Sequence, residues 1–441
     1  MEGEGGNIIR NISGVSYKEA EVITKDASKG ALDFKSPKEN TFYGKDGGKK
    51  FGDYEEKKEE IKEEKSSFIK NAYWSDKHGK KIKCLLYSVK TVYVCVNLLK
   101  KAKGKKINIV YKEYNAVSDT ELKRDTSYTI QNDDLQQLCP ITFTINDYTI
   151  EDEDDVSEYI FEIKIDDEKY VNNTEKLKVH AVIYIPEIMK SLGWNYAFKS
   201  QEDWFNGAQN NYPWESIPKI SDFTMGWALS FERFKQNYNE NLNKWKNPNS
   251  LESLKKEIGK MVKDGYAEYP TSKKTITTFG LSNIANAELV DSVIQPEEFK
   301  NEKTKSVNVK IPLFDKYYFT SFPYKESKFS ALDDFFGSIA NCNIRFVAKG
   351  TMEFKELART EVTVTELGVY IRDGFDYVGD QPLGYWSLKD KKASKNILSG
   401  GNFRYINNES YRDYRKDSGK GEDFYRYSNI YIYKPNFKFE L

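Results

Sequence analysis

Tyr159-Ile160-Phe161-Glu162-Ile163-Lys164-Ile165 places large apolar side chains at every second position, with Glu162 and Lys164 set between the last three and Ile160 between the first two. That period of two belongs to a strand burying one face and wetting the other. Ile82 to Leu98, Ile107 to Tyr111, Ile141 to Ile150 and Leu177 to Ile185 share its β-branched and aromatic texture, and Asn146-Asp147 and Asp166-Asp167 supply turns. Strands at this spacing predict an immunoglobulin-like β-sandwich over residues 68–186.

Beyond Pro186 the texture changes. Trp194, Trp204, Trp214, Trp227 and Trp245 fall close together, and inter-element packing is the ordinary use of such residues. Ser250 is expected to cap a helix whose apolar face is Leu251, Leu254, Ile258, Met261 and Val262, with Gly265 at its stop. A second, short helix is expected from Ser330 to Phe336, ending at Gly337. Ile344 to Gly350, Val362 to Ile371 and Asn429 to Phe439 read as strands again. The predicted class is mainly β: a sandwich followed by a mixed helix and antiparallel-sheet, α+β domain over 187–441. Ahead of both, residues 1–54 alternate short β-like runs with glycines at 14, 30, 44, 47, 48 and 52. So little apolar area is expected to fold only by docking on a partner. The charged run from Glu55 to Lys65 suits a linker over 55–67.

Totals exclude several function classes. The 441 residues carry 68 basic and 68 acidic side chains, so the positive excess of a general nucleic-acid binder is missing. No apolar stretch approaches the length of a membrane-spanning helix, and Met1-Glu2-Gly3-Glu4-Gly5-Gly6 lacks the features of a secretory signal. Synthesis in the cytoplasm and export by a leaderless route is the expectation. Cys84, Cys95, Cys139 and Cys342 have no paired spacing and read as reduced, partly buried thiols, with a Cys84–Cys95 disulfide left open.

Only two histidines occur, His78 and His180, and neither lies within 187–441. Ser-His-Asp, Cys-His and multi-imidazole zinc chemistry therefore have no basis there. Carboxylates, Tyr, Lys and Arg remain. Arg372-Asp373-Gly374-Phe375-Asp376-Tyr377-Val378-Gly379-Asp380 follows a strand, and Asp373, Asp376 and Asp380 could form an acid/base pair or hold a divalent cation. Turn chemistry accounts for the same residues, and the spacing is not that of a calcium loop. Arg412 and Arg415 could grip an anion or join ion pairs with neighbouring acids. Ser418-Gly419-Lys420-Gly421 lacks the full phosphate-loop pattern. No metal site and no cofactor-binding motif is read.

Two likenesses extend this reading. Met225-Gly226-Trp227-Ala228-Leu229-Ser230-Phe231-Glu232-Arg233, Leu332-Asp333-Asp334-Phe335-Phe336-Gly337, Glu366-Leu367-Gly368-Val369-Tyr370-Ile371-Arg372-Asp373-Gly374 and Asn408-Glu409-Ser410-Tyr411-Arg412 lie in a region from about Ile185 onward. That region resembles an uncharacterised bacterial domain family of unknown function, associated with type VI secretion. At the front, Gly44-Lys45-Asp46-Gly47-Gly48, Phe51-Gly52-Asp53-Tyr54 and Ala72-Tyr73-Trp74-Ser75-Asp76 resemble leaders and immunoglobulin-like modules of proteins carried on secretion spikes. The resemblance implies cargo or an antibacterial effector of a contractile secretion system. It also implies a spike or tip protein as docking partner and an immunity protein as counterpart. The alternative is a structural or adaptor component of the same apparatus. No catalytic residue is carried over.

Overall fold

The computed structural model describes residues 67–114, 124–143, 155–296, 305–327, 331–387, 390–395 and 403–441. Its contacts divide the chain into Met1–Lys62 and Glu63–Leu441, and the described residues all belong to the second unit. The leader expected over 1–54, and all but the end of the linker over 55–67, lie outside them.

Strands β1 (Ile69–Ser75), β2 (Thr91–Leu98), β3 (Lys106–Glu113), β4 (Arg124–Thr129), β5 (Gln136–Thr142), β6 (Val156–Ile165) and β7 (Glu168–His180) form two antiparallel sheets, ordered β1-β2-β5 and β4-β3-β6-β7. The alternating heptapeptide is the core of β6: Tyr159, Phe161, Ile163 and Ile165 are buried while Lys164 is exposed. Trp74 links the layers. Its indole Nε1 donates to Tyr159 O at 3.2 Å, and its ring meets Phe161 edge-on at 5.2 Å. The immunoglobulin-like assignment itself stays an expectation of the sequence.

After His180 a short 3-10 turn leads into α1 (Ile185–Ser191) and α2 (Asn195–Asn206). There follow β8 (Lys219–Phe223), α3 (Met225–Leu229), α4 (Glu232–Leu242), α5 (Pro248–Lys263), β9 (Ile276–Phe279), β10 (Leu289–Ile294), β11 (Val307–Pro312), α6 (Leu313–Lys316), β12 (Thr320–Tyr324) and α7 (Asp334–Ser338). The remainder is β13 (Cys342–Phe354), β14 (Thr360–Phe375), β15 (Pro382–Ser387), β16 (Lys392–Ser394), β17 (Arg404–Asn407), α8 (Asn408–Ser418), β18 (Phe424–Ser428), β19 (Tyr431–Tyr433) and β20 (Phe437–Glu440). The main sheet runs β12-β13-β14-β18-β8, with β19 and β20 also on β14 and β9 on β13. Only the β18–β8 pair within it is parallel among the described strands. The chain is thus mainly β with an α+β C-terminal region.

Several boundaries differ from those expected, each for a local reason. Helix α5 starts at Pro248, and its cap is Asn247, whose side-chain oxygen accepts from Ser250 N at 2.8 Å. Pro at the first helical position presets the backbone and moves the cap upstream. Helix α7 spans Asp334–Ser338, because Asp333 caps it by accepting from Phe336 N at 3.0 Å, and Gly337 lies inside. The run Ile82 to Leu98 becomes a strand only from Thr91, and β7 stops at His180, five residues before the run's end. All four cysteines are free and buried, including Cys84 and Cys95.

One apolar core runs through both parts of the unit. Ile69, Val94, Leu177 and Val179 of the two front sheets cluster with Ile188, Trp204, Tyr411 and Tyr414. A second core lies between the main sheet and α4 and α5, centred on Phe234, Leu254, Ile258, Phe346 and Val369.

Candidate functional site

Two cavities meet at the end of β14. One, of about 200 Å³, is lined by Gln201, Leu332, Phe375, Tyr377, Trp386 and Tyr411 among others. The other, of about 1070 Å³, is a groove reaching from α5 and β10 to β18. Asn341, Asp373, Gly374 and Asp376 line both.

Asp373 is only 5% exposed, yet no cation comes within ion-pair distance of it among the described residues. Its register partner on β18 is Arg426, but that guanidinium turns to Asp222 at 2.8 Å and to the hydroxyl of Ser200. Burial therefore raises the Asp373 carboxyl well above the usual carboxylate range; Arg426 opposes this and the charge of Asp376 adds to it. A carboxylic acid whose pKa is raised by burial, beside a second carboxylate, is the arrangement of a general acid with its partner. Asp376 sits just past the strand, its carboxylate over Gly374 and accepting from Val378 N at 3.2 Å. Asp380 is exposed at the surface, 3.5 Å from Arg412, and lines neither cavity. The structure thus brings Asp373 and Asp376 together and leaves Asp380 apart.

The groove floor is one face of the main sheet. Asn343 opposes Arg372 and Arg345 opposes Tyr370 across β13 and β14, while Arg372 opposes Tyr427 across β14 and β18. Asp315, from α6, is buried against this face. It accepts from Arg345 Nη1 with both oxygens at 2.7 and 2.8 Å, from Tyr370 at 2.5 Å and from Tyr427 at 2.9 Å. Burial pushes its carboxyl upward, but Arg345 and Arg372 outweigh that and hold it below the ordinary value. Arg345 stacks on Tyr318 and Arg372 on Tyr425, each at 3.9 Å.

The other sequence candidates serve the fold. Arg412 donates to the carbonyls of Tyr377 at 2.7 Å and Gly379 at 2.5 Å, fastening the loop after β14. Arg415 donates to Asn210 O at 2.9 Å and to Asp423, which also accepts from Trp204 Nε1 at 2.9 Å. Both arginines lie on α8, a helix the sequence reading passed over, although Asn407 and Ser410 form a reciprocal cap and Gly419 stops it with φ 67°. The glycines of Ser418-Gly419-Lys420-Gly421 have structural uses. At Gly421, with φ 117°, a side chain would lie 2.6 Å from the Trp204 ring.

Sequence reasoning also missed His180 as a partner of the C-terminal region. Its Nε2 lies 3.0 Å from Asp417 of α8. Burial nonetheless lowers its pKa against the pull of Asp417. Nearby Cys84 is pushed up to about 12 by burial, so it has none of the thiolate character a nucleophile needs. Asp315, Arg345 and Tyr425 were missed too. The signal was there: a charged residue between aromatics or aliphatics inside a strand, as in Ile344-Arg345-Phe346, requires a buried partner.

Residues 181–441 match the model of a family of unknown function, DUF6402. The chain belongs to that family. Every residue of the cleft described above falls within the DUF6402 region. No curated protein and no solved structure matches the chain. Among the described residues, no three of His, Cys, Asp and Glu come together as metal ligands, and no helix is long and apolar enough to cross a membrane.

Proposed function

We propose that this protein is cargo of a bacterial contractile secretion system, an antibacterial effector whose DUF6402 region performs acid–base chemistry at the end of β14. The sequence likeness to spike-carried proteins supports the delivery half. The chemical half rests on one observation: Asp373 is buried without a cation where two cavities meet, an arrangement costly to the fold and without any packing return. In this reading Asp373 donates a proton to a bound substrate and Asp376 supplies the negative partner.

Expression of the full chain in the cytoplasm and, separately, in the periplasm of a sensitive bacterium tests both halves. Growth arrest in one compartment is expected, and Asp373→Asn, with folding checked by circular dichroism, should relieve it. Unchanged growth in both compartments sinks the effector reading. Arrest that survives Asp373→Asn removes the acid role while leaving delivery standing.

A further inference from the structure

The groove above β13, β14 and β18 carries cationic groups that the fold only partly consumes. Arg345 and Arg372 both face Asp315, so one carboxylate serves two guanidinium groups. Arg345 uses only Nη1 on it. Arg372 comes no nearer than 3.9 Å and donates no side-chain hydrogen bond among the described residues. The Nε atoms of both are buried without a partner. The Arg372 side chain keeps 14% of its surface exposed, and both arginines line the groove. Stacking on Tyr318 and Tyr425 fixes the two planar groups in place, so little side-chain freedom is lost when they engage a ligand.

The surroundings reinforce the excess. Lys256, Lys260, Lys316 and Lys325 also line the groove, giving six cations there with the two arginines, against the four carboxylates Glu257, Asp315, Asp373 and Asp376. Asp264, just outside the lining, pairs with Lys316 at 2.9 Å, and Lys260 pairs with Glu257 at 3.2 Å, so an excess of one positive charge survives with every carboxylate ionised. Two guanidinium groups on adjacent strands, each stacked on its own tyrosine, offer two separate forks of donors. That suits a tetrahedral oxyanion carrying up to two charges better than a planar carboxylate, which one Arg fork already satisfies.

We infer that this groove binds a phosphate-bearing ligand, with Arg372 as the principal contact and Arg345 as the second. The space of about 1070 Å³ far exceeds one phosphate, so the phosphate is an anchor and the body of the ligand extends toward Asp373. The inference names the substrate class of the cleft proposed above and rests on that cleft being a ligand site. It does not depend on proton transfer by Asp373.

The test is titration of the full chain with inorganic phosphate, with glycerol phosphate and with acetate at constant ionic strength, followed by calorimetry. Saturable binding of both phosphates and much weaker binding of acetate is expected. Tighter binding of glycerol phosphate than of inorganic phosphate would mark an ester as the source; the reverse order would mark free phosphate. Arg372→Gln should weaken phosphate binding by about tenfold or more, the loss of a charge-assisted contact. Arg372→Lys, which keeps the charge without the fork, should fall between. Absence of saturable phosphate binding by the unaltered chain overturns the inference, as does phosphate affinity unchanged in a folded Arg372→Gln. Because no turnover is read, an inert Asp373 would leave these results untouched.

Discussion

Arg372 and Asp373 are adjacent in a strand and so start toward opposite faces of the main sheet; Asp373 ends up buried and Arg372 half-buried, and both are short of partners. For Asp373 the consequence is thermodynamic. Its folded-state pKa is raised above the ordinary 3.8, so the native chain holds a proton that the unfolded chain gives up. Stability therefore falls as pH rises above that value, toward the folded pKa. Asparagine has no such loss. Asp373→Asn should melt close to the unaltered protein near pH 4 and above it at neutral pH, the gap widening as pH increases; thermal melts across that range check it. A gap that narrows with rising pH would mean the carboxylate is ionised and compensated in the fold. Stability gained where activity is lost is the usual mark of a site held against the fold's interest.

Among the elements, β14 organises the region, pairing with β13 along its length and with β18, β19 and β20 in turn. Its apolar stretch was legible because Val362 to Ile371 carries β-branched residues in a run. Its last four residues were read as a turn, because Asp and Gly are turn residues by type and burial is not written in residue type. The same limit hid Arg426 of β18. Its side chain is 1% exposed and pairs with Asp222, 3% exposed, at 2.8 Å. Removing one member of a buried pair strands the other, at a cost of about 3–5 kcal/mol. Lys199 also holds Asp222, at 2.9 Å, so Arg426→Met should fall at the lower end of that range. Denaturant unfolding measures it, and a cost under about 1 kcal/mol would show that Lys199 alone suffices.

For the molecule as a whole, the heptapeptide in β6 announced two-layer β structure because a face against a core enforces alternation. Nothing comparable announced that the core continues into α1, α2 and α8. Contacts such as Tyr87 stacked on Phe205 at 4.7 Å, and Tyr87 N donating to Tyr414 at 3.1 Å, join residues more than a hundred positions apart, and no local pattern encodes them. They carry a prediction. Residues 181–441 produced alone would bare the Phe205, Tyr411 and Tyr414 face, melt at lower temperature than residues 63–441, and bind an apolar dye. Equal melting temperatures would show the contact to be dispensable.

The family match opens at Ala181, one residue after β7 ends, and Ala181, Val182 and Ile183 are buried. The chain thus enters the family region through the interior, without a surface hinge. Recombination that swapped the front module for an unrelated one would leave this entry segment with no counterpart to cover it. Shuffling of front modules should then bring compensating changes at positions 411 and 414, and chimeras made without them should aggregate in the host that expresses them.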